Sequence, residues 1–479
     1  MNFEAIYYSD RLHIINPEGD IAITTLWSRP KQAIDLLNEL NINLSSQTSR
    51  IAVIANLYGN GLPQMLRNLL WNPQITQLLV MGQNLSGSRE ELLDFFEQGL
   101  EPVEYLGVST YRIVGTNRIV DGQVKPDIFK NNINVIDFGK LSDTETRQGI
   151  LNFFNTLSPK LPCNNKRINI PIPKPKVQRY PSEPRNHHFL RTTPLEAWQE
   201  LIFRLVRFGH HTLLKKGERL ELQNVKIVVE QPLEESAETL SKYGFSLAHF
   251  KQYQQRIQDS SLRGQPYTYG NRLRNYFSHS GKMVDSLEII TQILKKDPES
   301  RHAYMSLWDS GRDLMEGHGC PCLVSIFFRR FEGKLTLTAT FRTHNAMDAW
   351  LENLYGLMAL QKYVADNINM PLGAITVFSH SISISTDVLD RAKAVADNVN
   401  NHTFRHDHNG NFIVTVDYDS QEIVVQHYHA GTSIAEYRGK NAEAIEKQLT
   451  RDCAISEISH ALYLGREIAK KEYLLNSGK

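Results

Sequence analysis

The chain has 479 residues, a formal net charge of +1 and 22% charged residues. That length calls for two or three domains, each with its own core, and the near-neutral balance excludes the electrostatic footprint of a nucleic-acid binder. Four cysteines, an opening Met1 to Tyr8 without the basic-then-apolar pattern of a secretory signal, and no apolar run of bilayer length predict a reduced, cytoplasmic protein with no membrane partner.

From the start, the segment 3–26 reads as short strands separated by turns at Ser9-Asp10 and Pro17-Glu18-Gly19. Strand-like 51–55, helix-like 62–70, strand-like 77–81 and helix-like 89–97 then alternate, with further strands near 111–114 and 134–138. Such alternation predicts an α/β domain over 1–158 with a mainly parallel sheet. Ligands bind at the loops after such strands, which draws attention to 82–88; an ordinary strand-to-helix turn has the same composition. Order and the strand-loop-helix near 78–100 loosely resemble the A subunit of tetrahydromethanopterin S-methyltransferase, a corrinoid carrier. That resemblance implies a corrinoid-ligating histidine, yet His13 is the only histidine in 1–160. The fold is carried over and the corrinoid is not.

Residues 159–194 hold eight prolines, at 159, 162, 171, 173, 175, 181, 184 and 194, and read as an extended linker. A domain over 195–479 follows. Within it, 323–328 is β-branched and aromatic, 335–341 alternates, and Phe331-Glu332-Gly333 fits a three-residue hairpin loop whose glycine takes positive φ. That loop pairs Arg330 with Lys334, and counting outward sets Cys322 opposite Arg342, Cβ atoms ~5 Å apart. A guanidinium there favours the nucleophilic thiolate; a structural cysteine beside a surface arginine would give the same spacing. Arginines 263, 272, 274, 301 and 342 read together as a small-anion site, or singly as a solvated basic face.

Several ordered motifs surround this hairpin. Pro266-Tyr267-Thr268-Tyr269-Gly270-Asn271-Arg272-Leu273-Arg274, Asp297-Pro298-Glu299-Ser300-Arg301, Pro321-Cys322, Arg342-Thr343 and Asn353, eleven residues past Arg342, are each similar to a segment of the thymidylate synthase and deoxycytidylate hydroxymethylase family, in its divergent archaeal-type branch. The resemblance implies an α+β domain with a mixed sheet, a homodimer, deoxyuridylate (dUMP) as substrate, and a reduced folate or related pterin as one-carbon donor, with no metal. Cys322 would add to C6 of the pyrimidine, Arg342 and Thr343 would hold the phosphate, and Arg301 would reach the phosphate of the neighbouring subunit. Tyr269 would help remove the C5 proton, and Asn353 would tell uracil from cytosine.

Departures from the pattern are specific. The second arginine of the Arg-Arg pair is His302, the residue before the hairpin arginine is Phe341, and the aspartate near the pterin is Asn345. The His-x-Tyr that binds the sugar hydroxyl becomes Ser383 and Ser385. A general-acid glutamate has three candidates, Glu234, Glu235 and Glu238, and the family's C-terminal lid sequence is not evident. His402, His406, His408, His427 and His429 lack a recognised metal-ligand spacing and read as turn and strand residues. Cys320 reads as a small neighbour of the nucleophile, because a thioredoxin-type pair needs two intervening residues. The segment 455–475, apolar at helical spacing, reads as a packing helix. Three functions fit: C5 methylation of dUMP, hydroxymethylation of a pyrimidine deoxynucleotide, and a nucleotide-binding regulator without turnover.

Overall fold

A computed structural model describes residues 1–160, 162–163, 165–174, 177, 180–215, 217–315, 319–399 and 405–477; Pro175 and His402 lie outside them. In the first unit β1 (Ile21–Thr24), α1 (Pro30–Glu39), β2 (Ile51–Ala55), α2 (Leu62–Trp71), β3 (Gln77–Met81), α3 (Ser88–Glu97), β4 (Asn134–Gly139) and α4 (Thr144–Thr156) follow in sequence. The strands β2-β1-β3-β4 are parallel, and His13–Ile14 adds an antiparallel edge to β2. Strand alternation divides the core. Ile21, Ile23, Leu79 and Met81 pack with Leu36 and Leu37 of α1 and Ile150 of α4, whereas Ala22, Leu78 and Val80 pack with Leu66 of α2 and with Leu92 and Phe95 of α3.

Two helices and one sheet differ from the expected alternation. Helices α1 and α4 complete the second layer. The strand expected near 111–114 belongs instead to a small antiparallel sheet of Leu100–Tyr105, Val108–Ile113 and Ile119–Val120. The first two of those strands are joined by Leu106 and Gly107, both at positive φ, which makes a tight hairpin and leaves no room for a crossover helix.

The second unit contains β5 (His188–Arg191), α5 (Pro194–Phe208), β6 (His210–Leu214), β7 (Gly217–Val229), α6 (Leu247–Gln258), α7 (Tyr269–Arg274), α8 (Ser286–Lys296), β8 (Tyr304–Ser306), β9 (Leu323–Phe331), β10 (Lys334–Phe341), β11 (His344–Asn345), α9 (Trp350–Ile368), β12 (Leu372–Ser385) and α10 (Leu389–Asp397). Its sheet runs β6-β7-β12-β10-β9-β8, mixed in direction, with β5 beside β7 and β11 beside β12. The expected linker therefore ends in a strand: its Phe189 packs into the core of this unit. Helix α5 starts at a capping box of Thr193 and Glu196 behind Pro194. Its Trp198, fully buried, donates from Nε1 to Ala346 O at 2.9 Å, so a large apolar body worth roughly 2–3 kcal/mol of burial also finds its polar partner.

The hairpin register differs from the expected one in two ways that offset each other. Its loop has two residues, Glu332 (φ 50) and Gly333 (φ 76), so Phe331 faces Lys334 and Arg330 faces Leu335. Farther along, the register shifts between Leu323 and Ser325, a β-bulge that adds Val324. Beyond the bulge Leu323 faces Phe341, and Arg342 N donates to Cys322 O at 2.9 Å.

A third unit, β13 (Asn411–Asp417), β14 (Glu422–His429), β15 (Thr432–Gly439), α11 (Ala442–Arg451) and α12 (Ile458–Ser477), forms its own antiparallel sheet. Its core gathers Ile423, Val425, Tyr437, Ile445, Leu464 and Ile468. Helix α12 covers that sheet, and among the described residues no helix is long and apolar enough to cross a membrane.

Candidate functional site

The bulge brings Cys322 and Arg342 to the same end of the sheet. Arg342 Nε donates to Pro321 O at 3.0 Å, and Nη2 lies 3.0 Å from Cys320 Sγ and 4.0 Å from Cys322 Sγ. One guanidinium thus serves both thiols, with Cys320 the nearer. The same guanidinium stands 5.6 Å from the Trp308 ring. Tyr269, first residue of α7, closes the other side: its Oη accepts from Leu323 N at 3.4 Å. Burial, with Cys322 next in importance, raises the Tyr269 phenol well above its ordinary range. Tyr267 is raised by the same two causes, and its ring is 6.2 Å from that of Tyr269. Both phenols therefore keep their protons at neutral pH.

Asn353 lies in the first turn of α9, buried, with its amide held at both ends. Tyr253 Oη of α6 donates to Asn353 Oδ1 at 2.6 Å, and Asn353 Nδ2 is 2.9 Å from His344 Nε2. His344 Nδ1 in turn is 3.2 Å from Ser379 Oγ, and its ring stacks on Phe341 with centroids 4.0 Å apart. Burial pushes His344 down to about 3, so it is neutral, one nitrogen donating and the other accepting. Tyr253 reaches Asn353 because Gly356 has no side chain. A Cβ there would lie 2.6 Å from Tyr253 Cε1 and 2.9 Å from Ile257 Cδ1.

The remaining expected residues scatter more widely. Ser383 is buried at the β11 side of β12, where its Oγ accepts from Arg219 Nε at 2.8 Å; Ser385 faces Arg219 across the sheet. Thr343 is half-buried between Arg342 and His344. Arg301 is exposed, on the segment entering β8, which pairs with β9 from Ser325 toward the hairpin turn; it does not join the Cys322 cluster within one protomer. Asn345 uses its amide oxygen to cap Met347 N at 3.1 Å.

The expected anion cluster does not assemble. Arg263 is paired with Asp259 at 2.7 Å and Arg274 with Asp285 at 2.9 Å. Arg272 is buried against Asp313 at 2.6 Å, its Nη1 also donating to Leu307 O. Three of the five arginines thus neutralise carboxylates, and those of Arg272 and Arg274 lie 41 and 11 positions away, where their sequence positions give no hint of them. The glutamates are likewise engaged. Glu234 binds Lys251 at 2.6 Å, Glu235 accepts from Tyr355 Oη and from Leu195 N, and Glu238 is exposed beside Lys242. Burial raises the Glu235 carboxyl above its ordinary range.

Sequence reasoning missed Tyr253, Tyr267, His344 and Arg219. Tyr267 lies within the 266–274 motif and His344 abuts Arg342-Thr343, so both could have been found from those positions. Tyr253, within Lys-Gln-Tyr-Gln-Gln, reads as a polar helix surface, and only the packing of α6 on α9 reveals it.

Comparison with known proteins fits this geometry. Residues 183–437 match the family model of thymidylate synthase, and residues 406–479 match a model described as PterinBD-DUF4346. The second match falls on the third unit rather than on the first. Proteins named "Putative thymidylate synthase" are similar to this chain over its middle part. That of Methanothermobacter marburgensis is 30% identical over 42% of this chain and 95% of its own length. The one from Methanothermobacter thermautotrophicus is 30% identical over 39% and 87%, and the one from Methanosarcina barkeri 29% over 43% and 90%. With that one family model covering more than half of its length, and with its hairpin cysteine and arginine face to face, the chain belongs to the thymidylate synthase family.

Proposed function

We propose that the chain is a transferase that methylates C5 of dUMP through a covalent adduct on Cys322. The observation that supports this most is the single guanidinium of Arg342 within 4.0 Å of Cys322 Sγ. A fixed positive charge at that distance favours the thiolate and can also meet a substrate phosphate. In this reading the sulfur adds to C6 of the pyrimidine, and the C5–C6 electron pair makes C5 a nucleophile that captures a one-carbon unit. Loss of the C5 proton with departure of the carrier's amine leaves an exocyclic methylene at C5, and addition of a hydride to that carbon with expulsion of the sulfur restores the ring double bond.

The other residues take supporting parts. Tyr269 remains a phenol, so it orders a water that accepts the C5 proton rather than accepting it directly. Asn353 has one N–H and one oxygen lone pair beyond those engaged by His344 and Tyr253, enough to donate to O4 and accept from N3–H of uracil. Ser383 still has its own hydroxyl proton for the sugar, Ser385 lies one strand step farther, and Thr343 adds a hydroxyl beside the phosphate arginine. Arg301 serves the partner subunit of a cytoplasmic homodimer.

A reduced folate or related pterin would supply the carbon and, for methylation, a hydride. Family membership and the PterinBD-DUF4346 match support that donor class. The position where a carboxylate would meet the pterin is Asn345, committed to its own turn, so this residue contributes no negative charge there. The test is tritium release from dUMP labelled at C5, with reduced folate or methanopterin donors and without them. Release that disappears in Cys322→Ala supports the adduct, and a 5-hydroxymethyl product would move the reading to hydroxymethylation. Nucleotide binding without release under every donor would leave a regulator.

A further inference from the structure

We propose that Tyr253 and His344 are positioning residues that fix which way round the Asn353 amide faces, and that this orientation sets the preference for uracil over cytosine. The inference rests on Asn353 being the residue that meets the base.

An amide alone does not discriminate between the two bases. Uracil presents O4 as acceptor and N3–H as donor, cytosine presents its 4-amino group as donor and N3 as acceptor, and a side-chain amide satisfies either by turning over. Discrimination therefore needs something that stops the turn. In this chain the amide oxygen takes the Tyr253 hydroxyl at 2.6 Å and the amide nitrogen meets His344 Nε2 at 2.9 Å. The amide nitrogen can only donate, so Nε2 is the acceptor and the ring proton sits on Nδ1, directed at Ser379 Oγ at 3.2 Å. Turning the amide would oppose its oxygen to the Nε2 lone pair. It proceeds only if His344 changes tautomer, Ser379 reverses its hydroxyl and Tyr253 ceases to donate, all together.

Packing holds the lock in register. His344 is 4% exposed and sandwiched on Phe341, and Gly356 lets the Tyr253 ring lie against α9 three residues past Asn353. A buried chain of hydrogen bonds of this kind has two self-consistent states and few mixtures, because any mixture leaves a buried polar atom unpaired.

The experiment is calorimetric titration of the full chain with dUMP and with deoxycytidylate, comparing wild type, Tyr253→Phe, Ser379→Ala and Asn353→Ala. Tyr253→Phe keeps the ring and removes only the hydroxyl, and Ser379→Ala frees the His344 tautomer. Each should lower the dUMP-to-deoxycytidylate affinity ratio at least tenfold, partly through tighter deoxycytidylate binding, a gain that structural damage would not produce. A ratio unchanged in both, while Asn353→Ala abolishes it, overturns the lock and leaves the function of the site intact. An unchanged ratio in Asn353→Ala, or binding of neither nucleotide by wild type, removes the base-reading role and the lock with it. Should Tyr253→Phe fail to fold, Ser379→Ala carries the same comparison alone.

Discussion

Arg342 Nη2 lies 3.0 Å from the sulfur of Cys320 and 4.0 Å from that of Cys322. Two thiols two residues apart therefore lie beside one positive charge, and removing it should slow the one that acts as nucleophile. We expect the alkylation rate of Cys322 by iodoacetamide at pH 7 to fall about tenfold in Arg342→Ala, because the thiolate is the reacting species. Arg342→Lys should restore only part of the rate, since a single ammonium lacks the planar fork that holds Pro321 O at the same time. Peptide mapping by mass spectrometry after timed quenching gives the Cys322 rate, and equal rates in wild type and Arg342→Ala would refute the assignment.

His344 predicts a pH dependence with a definite sign. Burial pushes its imidazole down to about 3, while an unfolded histidine titrates near ~6.5. Between those values the unfolded chain binds a proton at this ring and the folded chain does not. Its contribution is thus fully present above ~6.5 and falls by about 1.4 kcal/mol per pH unit on the way down. Urea midpoints at pH 7, 5.5 and 4.5 should drop more steeply in wild type than in His344→Gln, and parallel lines would contradict the burial argument.

Gly356→Ala tests the packing of α6 on α9. In an open helix the change would stabilise by up to ~1 kcal/mol. Here the new Cβ meets Tyr253 Cε1 at 2.6 Å and Ile257 Cδ1 at 2.9 Å, and overpacking of that kind costs ~1–3 kcal/mol. A net loss of about 1–2 kcal/mol in equilibrium denaturation is expected, whereas any gain would mean that the helices separate freely.

The pair Arg272 and Asp313, 2% and 0% exposed at their side chains, should behave as a buried ion pair. Asp313→Asn strands a guanidinium in the core and should cost ~3–5 kcal/mol. Replacing both by apolar residues of similar volume should recover most of that loss, because both desolvation penalties then vanish. Thermal melts of the single and double variants decide between this and a merely local packing effect.

How far the sequence could be read depended on whether a residue's partner was near in the chain. The hairpin, the alternating first unit and the position of Asn353 on a helix were legible because strands, helices and turns announce themselves within a few residues. The register was reached by an incorrect route: a two-residue loop in place of three, offset by the bulge at Val324. The carboxylate partners of Arg272 and Arg274 were not legible. They come from residues 41 and 11 positions away, and nothing local marks Asp313 or Asp285 as acceptors. Tyr253 was hidden for the same reason, 100 positions from Asn353. Buried polar networks are assembled by tertiary packing, so their members look ordinary one at a time.

The bulge at Val324 also sets the parity of the strand. The fully buried positions of this strand run Phe328, Ile326 and then Leu323, a step of three where an unbroken strand takes two. Every side chain before that step is carried by an inverted alternation relative to the hairpin turn. Straightening the strand with Val324 kept would seat Val324 opposite Phe341 and Leu323 opposite Arg342, and would turn the Cys322 sulfur through the plane of the sheet and away from Arg342. Chemistry at this site thus hangs on the bulge that absorbs one extra residue, whose own side chain takes no part in it.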